Sequence, residues 1–330
     1  MKTTKNKTVP PVKAATLIAA GLVKAANLCP PKSPGAAAVD LYSAGKRPLP
    51  VFNPSGPVPY IVPEKSAAPV VHPAALEPFK MPSYLLGVER DAKTIKGTAG
   101  GYLTGILYLA PGQLAGVGNL CPHASAGCLA ACLFTAGNAR FENVNRGRVM
   151  RTRFLHDNRA GFIAMLKGEI AGLVRKAKKR GLKPVVRLNG TSDLAWEKLA
   201  PDLFTEFPTV RFYDYTKSIR RAVAYAKGEM PRNYHLTFSL SETNAAAAGI
   251  ALAAGVNVAA VADGVKPGQR FALPGMSEAR PTFSADRHDL RFLDRKGKDG
   301  KGRIGLLKAK GKARADQSGF VIRANPAAHA

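Results

Sequence analysis

The stretch Tyr102–Ala110 reads YLTGILYLA, and the loop that follows it, Cys121–Cys132, reads CPHASAGCLAAC. The first stretch is an apolar run of strand length with aromatic and β-branched residues, which predicts a buried strand. The loop contains three of the four cysteines of the chain. A strand that delivers three thiols at its carboxyl end is therefore the feature from which we predict both the fold and the site.

Further apolar runs of strand length follow, with helical stretches between them. They are Val185–Leu188, Val210–Tyr213, His235–Leu240 and Val256–Val261. A long helix is predicted from about Asn158 to Arg180, because apolar residues recur there every three or four positions and Gly181 follows. This alternation predicts an α/β fold, either a parallel sheet or an incomplete (β/α) barrel.

In such folds polar groups gather where the parallel strands end, because the loops there share one edge of the sheet. The sequence places candidate catalytic residues at these ends, namely Asp193, Asp214, Lys217 and Glu242, and candidate cofactor-binding residues, namely Asn189, Ser192 and Ser239. Helix capping is the alternative role for Ser192, Asp193 and Glu242. Asp214 and Lys217 carry more weight, because a charged pair after an apolar strand is costly unless it is paired or used.

The three loop cysteines, Cys121, Cys128 and Cys132, are the candidate metal ligands. Thiolate sulfur selects zinc, copper(I) or iron-sulfur clusters over hard cations. Structural zinc sites usually have four protein ligands with closely spaced pairs, and disulfides need an oxidising compartment. The Cys-x6-Cys-x3-Cys spacing favours an iron-sulfur cluster over these two alternatives. The sequence leaves the fourth ligand open between Cys29, His123 and no residue.

Composition adds an expectation about partners and compartment. The chain has 330 residues and a net charge of +27, from 49 Lys and Arg against 22 Asp and Glu. Such a charge attracts polyanions, so non-specific nucleic-acid binding is expected, with simple solubility as the alternative. Four cysteines are too few for a disulfide scaffold, which favours a reducing cytoplasm. Ala245–Ala262 is nearly apolar, but Gly255 and Asn257 divide it, which predicts a buried helix and strand and no membrane span.

The composition also divides the chain into three parts. We expect residues 1–95 to form an Ala/Pro-rich N-terminal arm, with 13 prolines between Cys29 and Pro82, and we expect a short amphipathic helix at residues 14–23. Residues 96–285 form the α/β core. Residues 286–330 form a basic C-terminal segment packed on the core, in which residues 295–314 are a surface ribbon. Ile304–Leu307 and Phe320–Ile322 are its short strands, and Asp286, Asp289 and Asp294 are predicted to be solvated turn carboxylates.

Several motifs together resemble a phage family, the gene-product-eighty-eight domain. They are the cysteine loop, Arg187–Asp193, Phe212–Lys217, and the terminal Ala313-Arg314 through Gly319-Phe320-Val321. The likeness spans roughly residues 100 to 325. It implies a viral protein made in the cytoplasm of an infected bacterial host, or one associated with the virion.

The chain order also resembles, more distantly, that of radical S-adenosylmethionine enzymes, whose partial barrels carry three cluster-binding cysteines after the first strand. That likeness implies a 4Fe–4S cluster on Cys121, Cys128 and Cys132, a bound S-adenosylmethionine, a reductant, and redox or radical chemistry on a substrate that the sequence does not identify. The spacing differs from the usual Cys-x3-Cys-x2-Cys, and Ala131 stands where an aromatic residue is usual. The alternative function is a nucleic-acid or virion-associated binding protein with a structural cluster or zinc site.

Overall fold

The computed structural model describes residues 71–324, and a mixed, mostly parallel sheet organises them. Its ten strands are β1 Leu86–Val88, β2 Tyr102–Leu107, β3 Lys183–Arg187, β4 Arg211–Thr216, β5 Tyr234–Ser239, β6 Val258–Asp263, β7 Arg270–Phe271, β8 Arg280–Ser284, β9 Ile304–Leu307 and β10 Ile322–Arg323. The strand order is β1-β2-β3-β4-β5-β6-β9-β8-β7, and β10 pairs with β6. Strands β2 to β6 are therefore parallel neighbours in chain order.

Eight α-helices lie within residues 71–324. They are α1 Ala92–Ala99, α2 Ala126–Ala130, α3 Glu142–Asp157, α4 Arg159–Lys179, α5 Trp196–Leu199, α6 Asp202–Glu206, α7 Ile219–Ala226 and α8 Ala245–Ala253. None of these helices is long and apolar enough to cross a bilayer. The strands, the long helix and the buried helix–strand pair predicted from the sequence are confirmed, with small shifts at their ends.

Helix α4 shows why the amphipathic pattern produces this packing. Its apolar stripe, Phe162, Leu166, Ile170, Leu173 and Ala177, is buried against the sheet. Burying a large apolar side chain contributes about 1.5–3 kcal/mol. Gly181 follows with φ +64°, a left-handed conformation that glycine adopts without steric cost, and it turns the chain into β3.

The other face of the sheet is covered by the segment that follows β8. Leu290 is buried in a cluster with Val185 of β3 and Tyr213 of β4, and Phe292 packs edge-on against Tyr213 at 5.7 Å. Residues 286–294 thus cross the sheet face opposite α4, and the carboxylates in this segment are brought next to the strand ends.

The C-terminal segment differs from the prediction. Ile304–Leu307 is not part of a surface ribbon but strand β9 of the main sheet, parallel to both β6 and β8. Ile304 and Leu306 are buried with Val258 and Ala260 of β6. A four-residue apolar run inside a basic stretch has no local feature that indicates burial. Its burial depends on pairing with β6 and β8. The helix predicted at residues 14–23 lies outside the described residues.

Candidate functional site

A cavity of about 300 Å³ opens where the parallel strands end. Seven of the ten residues predicted for the site line it: Cys121, Cys128, Cys132, Ser192, Asp193, Lys217 and Ser239. The segments after β2, β3 and β4 and the last residue of β5 contribute these side chains, as expected for a parallel sheet. Three predicted residues, Asn189, Asp214 and Glu242, lie outside the lining of the cavity.

The cysteine loop is held by local capping and by one distant carboxylate. Ser125 caps α2, its Oγ accepting a hydrogen bond from the Cys128 backbone N–H at 3.2 Å. Cys128 lies in α2 and Cys132 lies two residues beyond the end of that helix, and both line the cavity. Glu242 accepts hydrogen bonds from Ser125 Oγ and the Gly127 N–H, each at 2.7 Å, and it therefore positions the loop and does not line the cavity.

The three loop cysteines are free, partly buried thiols. Burial raises the pKa of Cys121 well above its ordinary value and that of Cys132 to about 11, and the neighbouring cysteines add to the effect. The Cys121 Sγ donates a weak hydrogen bond to the Thr191 carbonyl at 3.7 Å. Three thiolates in this cavity would need a compensating cation, as a metal supplies when it displaces the thiol protons.

Within residues 71–324, no group of three or more His, Cys, Asp or Glu side chains is close enough, as placed, to hold one metal ion. His123 is outside the cavity lining, and burial lowers its pKa, which keeps the ring neutral. Cys29 lies outside the described residues. The three loop cysteines are therefore the thiols that the structure brings to the cavity.

The loop after β3 separates a buried residue from cavity-lining ones. Asn189 is 2% exposed, and its Oδ1 accepts hydrogen bonds from Ser192 Oγ, the Leu194 N–H and Trp196 Nε1. Gly190 passes so close to β2 that a Cβ would lie 2.7 Å from the Leu107 carbonyl oxygen. Asn189 thus fixes the loop from beneath.

Asp193 and Lys217 both line the cavity, but their side chains do not form an ion pair with each other. The Asp193 carboxylate accepts hydrogen bonds from the Lys217 backbone N–H at 2.7 Å and from Arg221 at 2.9 Å. The Lys217 Nζ donates to Ser239 Oγ at 2.7 Å and lies 5.9 Å from the centre of the Phe320 ring. Arg221 therefore compensates the charge of the Asp193 carboxylate. The Lys217 ammonium donates its hydrogen bond to an uncharged hydroxyl.

Asp214 points to the other face of β4. Successive strand residues alternate between faces, so Asp214 shares a face with Phe212, whereas Tyr215 and Lys217 face the cavity. The Asp214 carboxylate is fully buried and accepts from the Asn189 N–H and the Tyr234 hydroxyl, each at 2.7 Å. Burial raises its pKa to about 7 despite these bonds. The alternation along β4 could have separated Asp214 from Lys217 in the sequence.

Sequence reasoning missed a buried ion pair at the cavity. Arg187, at the end of β3, contacts both oxygens of Asp289 at 2.9 and 3.1 Å. Burial disfavours the Asp289 charge, but Arg187, Lys93 and the Tyr213 hydroxyl outweigh it and lower its pKa to about 2. Asp289 is thus not a solvated turn carboxylate. Its partner is 102 positions away, so no local pattern could identify the pair.

A group of basic side chains also escaped the sequence analysis. Lys93 and Lys96 come from α1, and Lys308 and Lys310 follow β9. All four line the cavity. Lys93 and Lys96 are separated by three helical positions, which places them on one face, and this spacing was the available signal.

The Gene product 88 family model matches residues 85–324, which include every strand described above and the three loop cysteines. The chain belongs to the Gene product 88 family. It is thus a member of a bacteriophage family, as the motifs around the cysteines and strand ends predicted. No curated protein and no solved structure matches this Gene product 88 protein.

Proposed function

We propose that this protein binds a 4Fe–4S cluster through Cys121, Cys128 and Cys132, and that it carries out redox or radical chemistry with S-adenosylmethionine in the adjoining cavity. The observation that carries the proposal is that three free thiols from one loop line one cavity at the carboxyl edge of a parallel sheet. The cavity beside the thiols gives a substrate access to the same space.

The donor set fits a cluster better than a single zinc ion. A zinc ion holds its sulfur ligands at about 2.3 Å from one centre, so those ligands crowd together. Each thiolate of a cubane cluster binds a different iron, so the sulfurs stand farther apart. The Cys-x6-Cys-x3-Cys spacing lacks the closely spaced pairs of a structural zinc site, which agrees with the second arrangement.

The strand order supports the likeness to radical enzymes. Strands β2 to β6 are parallel neighbours in chain order, and right-handed crossovers would place their helices on one side, as in a barrel. The cysteines follow the first of these strands. We therefore interpret the sheet as an incomplete (β/α) barrel.

The side chains around the cavity have separate roles in this proposal. A reduced cluster would supply the electron that cleaves S-adenosylmethionine. The Lys217 ammonium, held by Ser239, provides positive charge at the wall and favours a carboxylate or a more negative centre there. Asp193 and Ser192 offer acceptor and hydroxyl groups to an amino group. Asn189 and Asp214 hold these groups in place from beneath.

The first experiment purifies the protein without oxygen and measures iron, sulfide and zinc together with the visible spectrum. A brown protein with about four irons is expected, and Cys128→Ala should lose them. Cys29→Ala tests the candidate fourth ligand, and unchanged iron in that variant would assign the cluster to the three loop thiols. A colourless protein with one zinc would overturn the proposal. Incubating the reduced protein with S-adenosylmethionine then tests for cleavage, and binding without cleavage would contradict the radical chemistry.

The net charge of +27 favours a second candidate, in which the cluster or a zinc ion is a structural clip and the basic surface binds nucleic acid. Deleting residues 295–314 would not test it, because β9 lies in the sheet. Replacing the exposed Arg295, Lys296 and Lys298 with glutamine removes charge and leaves β9 intact. Binding that weakens with rising salt and with this triple change, while iron stays bound, would favour the second candidate.

A further inference from the structure

The mouth of the cavity carries more cations than its carboxylates neutralise. Five cationic side chains line it on the side of α1 and β9, and we call them the basic rim: Lys93, Lys96, Arg187, Lys308 and Lys310. Only Asp286 and Asp289 face them from the same segment. The rim therefore places a surplus of positive charge along this side of the cavity.

Both rim carboxylates are already engaged. Asp289 is bound by Arg187 and by the Tyr213 hydroxyl at 2.8 Å. Asp286 accepts from the Lys308 N–H at 2.7 Å and from Lys310 Nζ at 2.5 Å.

Two rim lysines, Lys96 and Lys308, have no carboxylate partner among residues 71–324. Lys96 Nζ donates to the Asp286 main-chain oxygen at 3.0 Å. Lys93 Nζ is 3.9 Å from Asp289, and burial lowers its pKa to about 8, a shift that a bound anion would reverse.

The interior beyond the rim suits a flat, partly apolar group. Tyr215 and Phe320 both line the cavity, and alanine, leucine and valine side chains make up much of the remaining wall. The Arg187 guanidinium lies 4.7 Å from the centre of the Tyr215 ring. Aromatic rings next to cations are the combination with which proteins stack nucleobases and hold the attached phosphates.

We infer that the cavity binds a nucleotide, free or as one unit of a single strand, with its phosphate on the basic rim and its base against the Tyr215 and Phe320 rings. The inference rests on the proposed function in treating this ligand as the substrate of the same cavity. Lysines recognise phosphate as point charges and tolerate several approach directions, so the rim suits a phosphate whose attachment varies.

The test measures binding of two fluorescently labelled probes, a nucleoside monophosphate and a short single-stranded oligonucleotide, with inorganic phosphate as competitor. Lys96→Gln/Lys308→Gln removes two exposed rim charges that have no carboxylate partner, so folding should be retained. The matched control is Lys178→Gln/Lys179→Gln, which removes two exposed charges from the end of α4. We expect at least about tenfold weaker binding for the rim variant and a change within about twofold for the control.

The two probes separate the sources of the nucleotide. Rim-dependent binding of the monophosphate supports a free nucleotide, and rim-dependent binding of the oligonucleotide alone supports a strand unit. Equal losses in both variants, or no binding of either probe, would overturn the inference. Iron analysis of the same samples keeps the two proposals apart. Rim-dependent binding without iron would refute the cluster alone, and iron without rim-dependent binding would refute the nucleotide alone.

Discussion

Two buried carboxylates on opposite faces of the sheet have pKa values that are shifted in opposite directions. Asp289, on the cavity face, has a pKa lowered to about 2, whereas Asp214, on the helix face of β4, has one raised to about 7. Both lose water, so burial alone cannot explain the contrast. Asp289 contacts the Arg187 guanidinium, while the donors to Asp214 are the main-chain and side-chain amides of Asn189 and the Tyr234 hydroxyl, none of which is charged. Asp289 on the cavity face is therefore ionised at neutral pH, whereas Asp214 on the helix face retains a proton for part of the time.

The two carboxylates therefore have different roles. Groups on the cavity face can present charge to a ligand because ion pairs keep them charged. Asp214 instead fixes the Asn189 loop, and a ligand in the cavity does not reach it. Substitutions on the helix face should therefore reduce stability, and substitutions on the cavity face should mainly change binding.

The largest effect is expected for Asp214→Ala. It leaves the Asn189 N–H and the Tyr234 hydroxyl buried without their acceptor, and we expect a loss of about 4 kcal/mol in the free energy of unfolding. Chemical denaturation measures it. The control is Asp263→Ala, whose partly exposed carboxylate pairs with Arg323 at 3.2 Å and should contribute less than about 1 kcal/mol. Similar losses in both variants would remove the distinction between a buried and an exposed strand-end carboxylate.

Gly190→Ala tests the point where the chain passes from the buried Asn189 to the cavity. The new Cβ would meet the Leu107 carbonyl and the Tyr108 ring, so we expect destabilisation by about 3 kcal/mol. Gly168→Ala is the matched control, because that position in α4 is exposed and no atom would lie within 4 Å of its Cβ. The control should be more stable by up to about 1 kcal/mol. A tolerated Gly190→Ala would show that the close approach to β2 is not required.

The pH dependence of stability sharpens the contrast between the carboxylates. The Asp289 pKa is lower in the folded chain than its ordinary 3.8, so its contribution of roughly 2 kcal/mol is complete above pH 3.8 and is lost as the pH falls through 2. The Asp214 pKa is raised, so its contribution is present below pH 3.8 and is lost as the pH rises through 7. NMR titration of carbon-labelled aspartate carboxyls resolves both. An Asp214 midpoint near its ordinary value would contradict burial as the cause of its raised pKa.

The sequence predicted the parallel strands and the cysteine loop because both have local signals. Apolar runs of strand length mark β2 to β6, and three cysteines within one loop need no partner from elsewhere to suggest a metal. The place of β9 in the main sheet and the Arg187–Asp289 pair could not be predicted, because their burial depends on partners far along the chain. Asp214 is an intermediate case. A charged residue in an apolar strand was predicted to have a role in the site. The alternation of strand residues from Tyr213 would also have shown which face Asp214 occupies.

The smallest effect concerns a third carboxylate, Glu242, which reaches the cysteine loop and not the cavity. Glu242→Ala removes the acceptor for Ser125 Oγ and the Gly127 N–H, and we expect a loss of only about 1 kcal/mol, because water can replace it at a partly buried site. The loop should nevertheless open more often, so alkylation of Cys128 should accelerate several-fold.

Glu242→Gln keeps an oxygen for the Gly127 N–H and should restore most of the protection, while Glu229→Ala removes an exposed carboxylate elsewhere and should change nothing. Faster alkylation in Glu242→Ala alone would show that this carboxylate holds the cysteine loop in place. Unchanged alkylation would mean that Ser125 capping suffices. The loop would then owe its position to local structure, and only Asp214 would remain as a strand-end carboxylate that supports the cavity from outside.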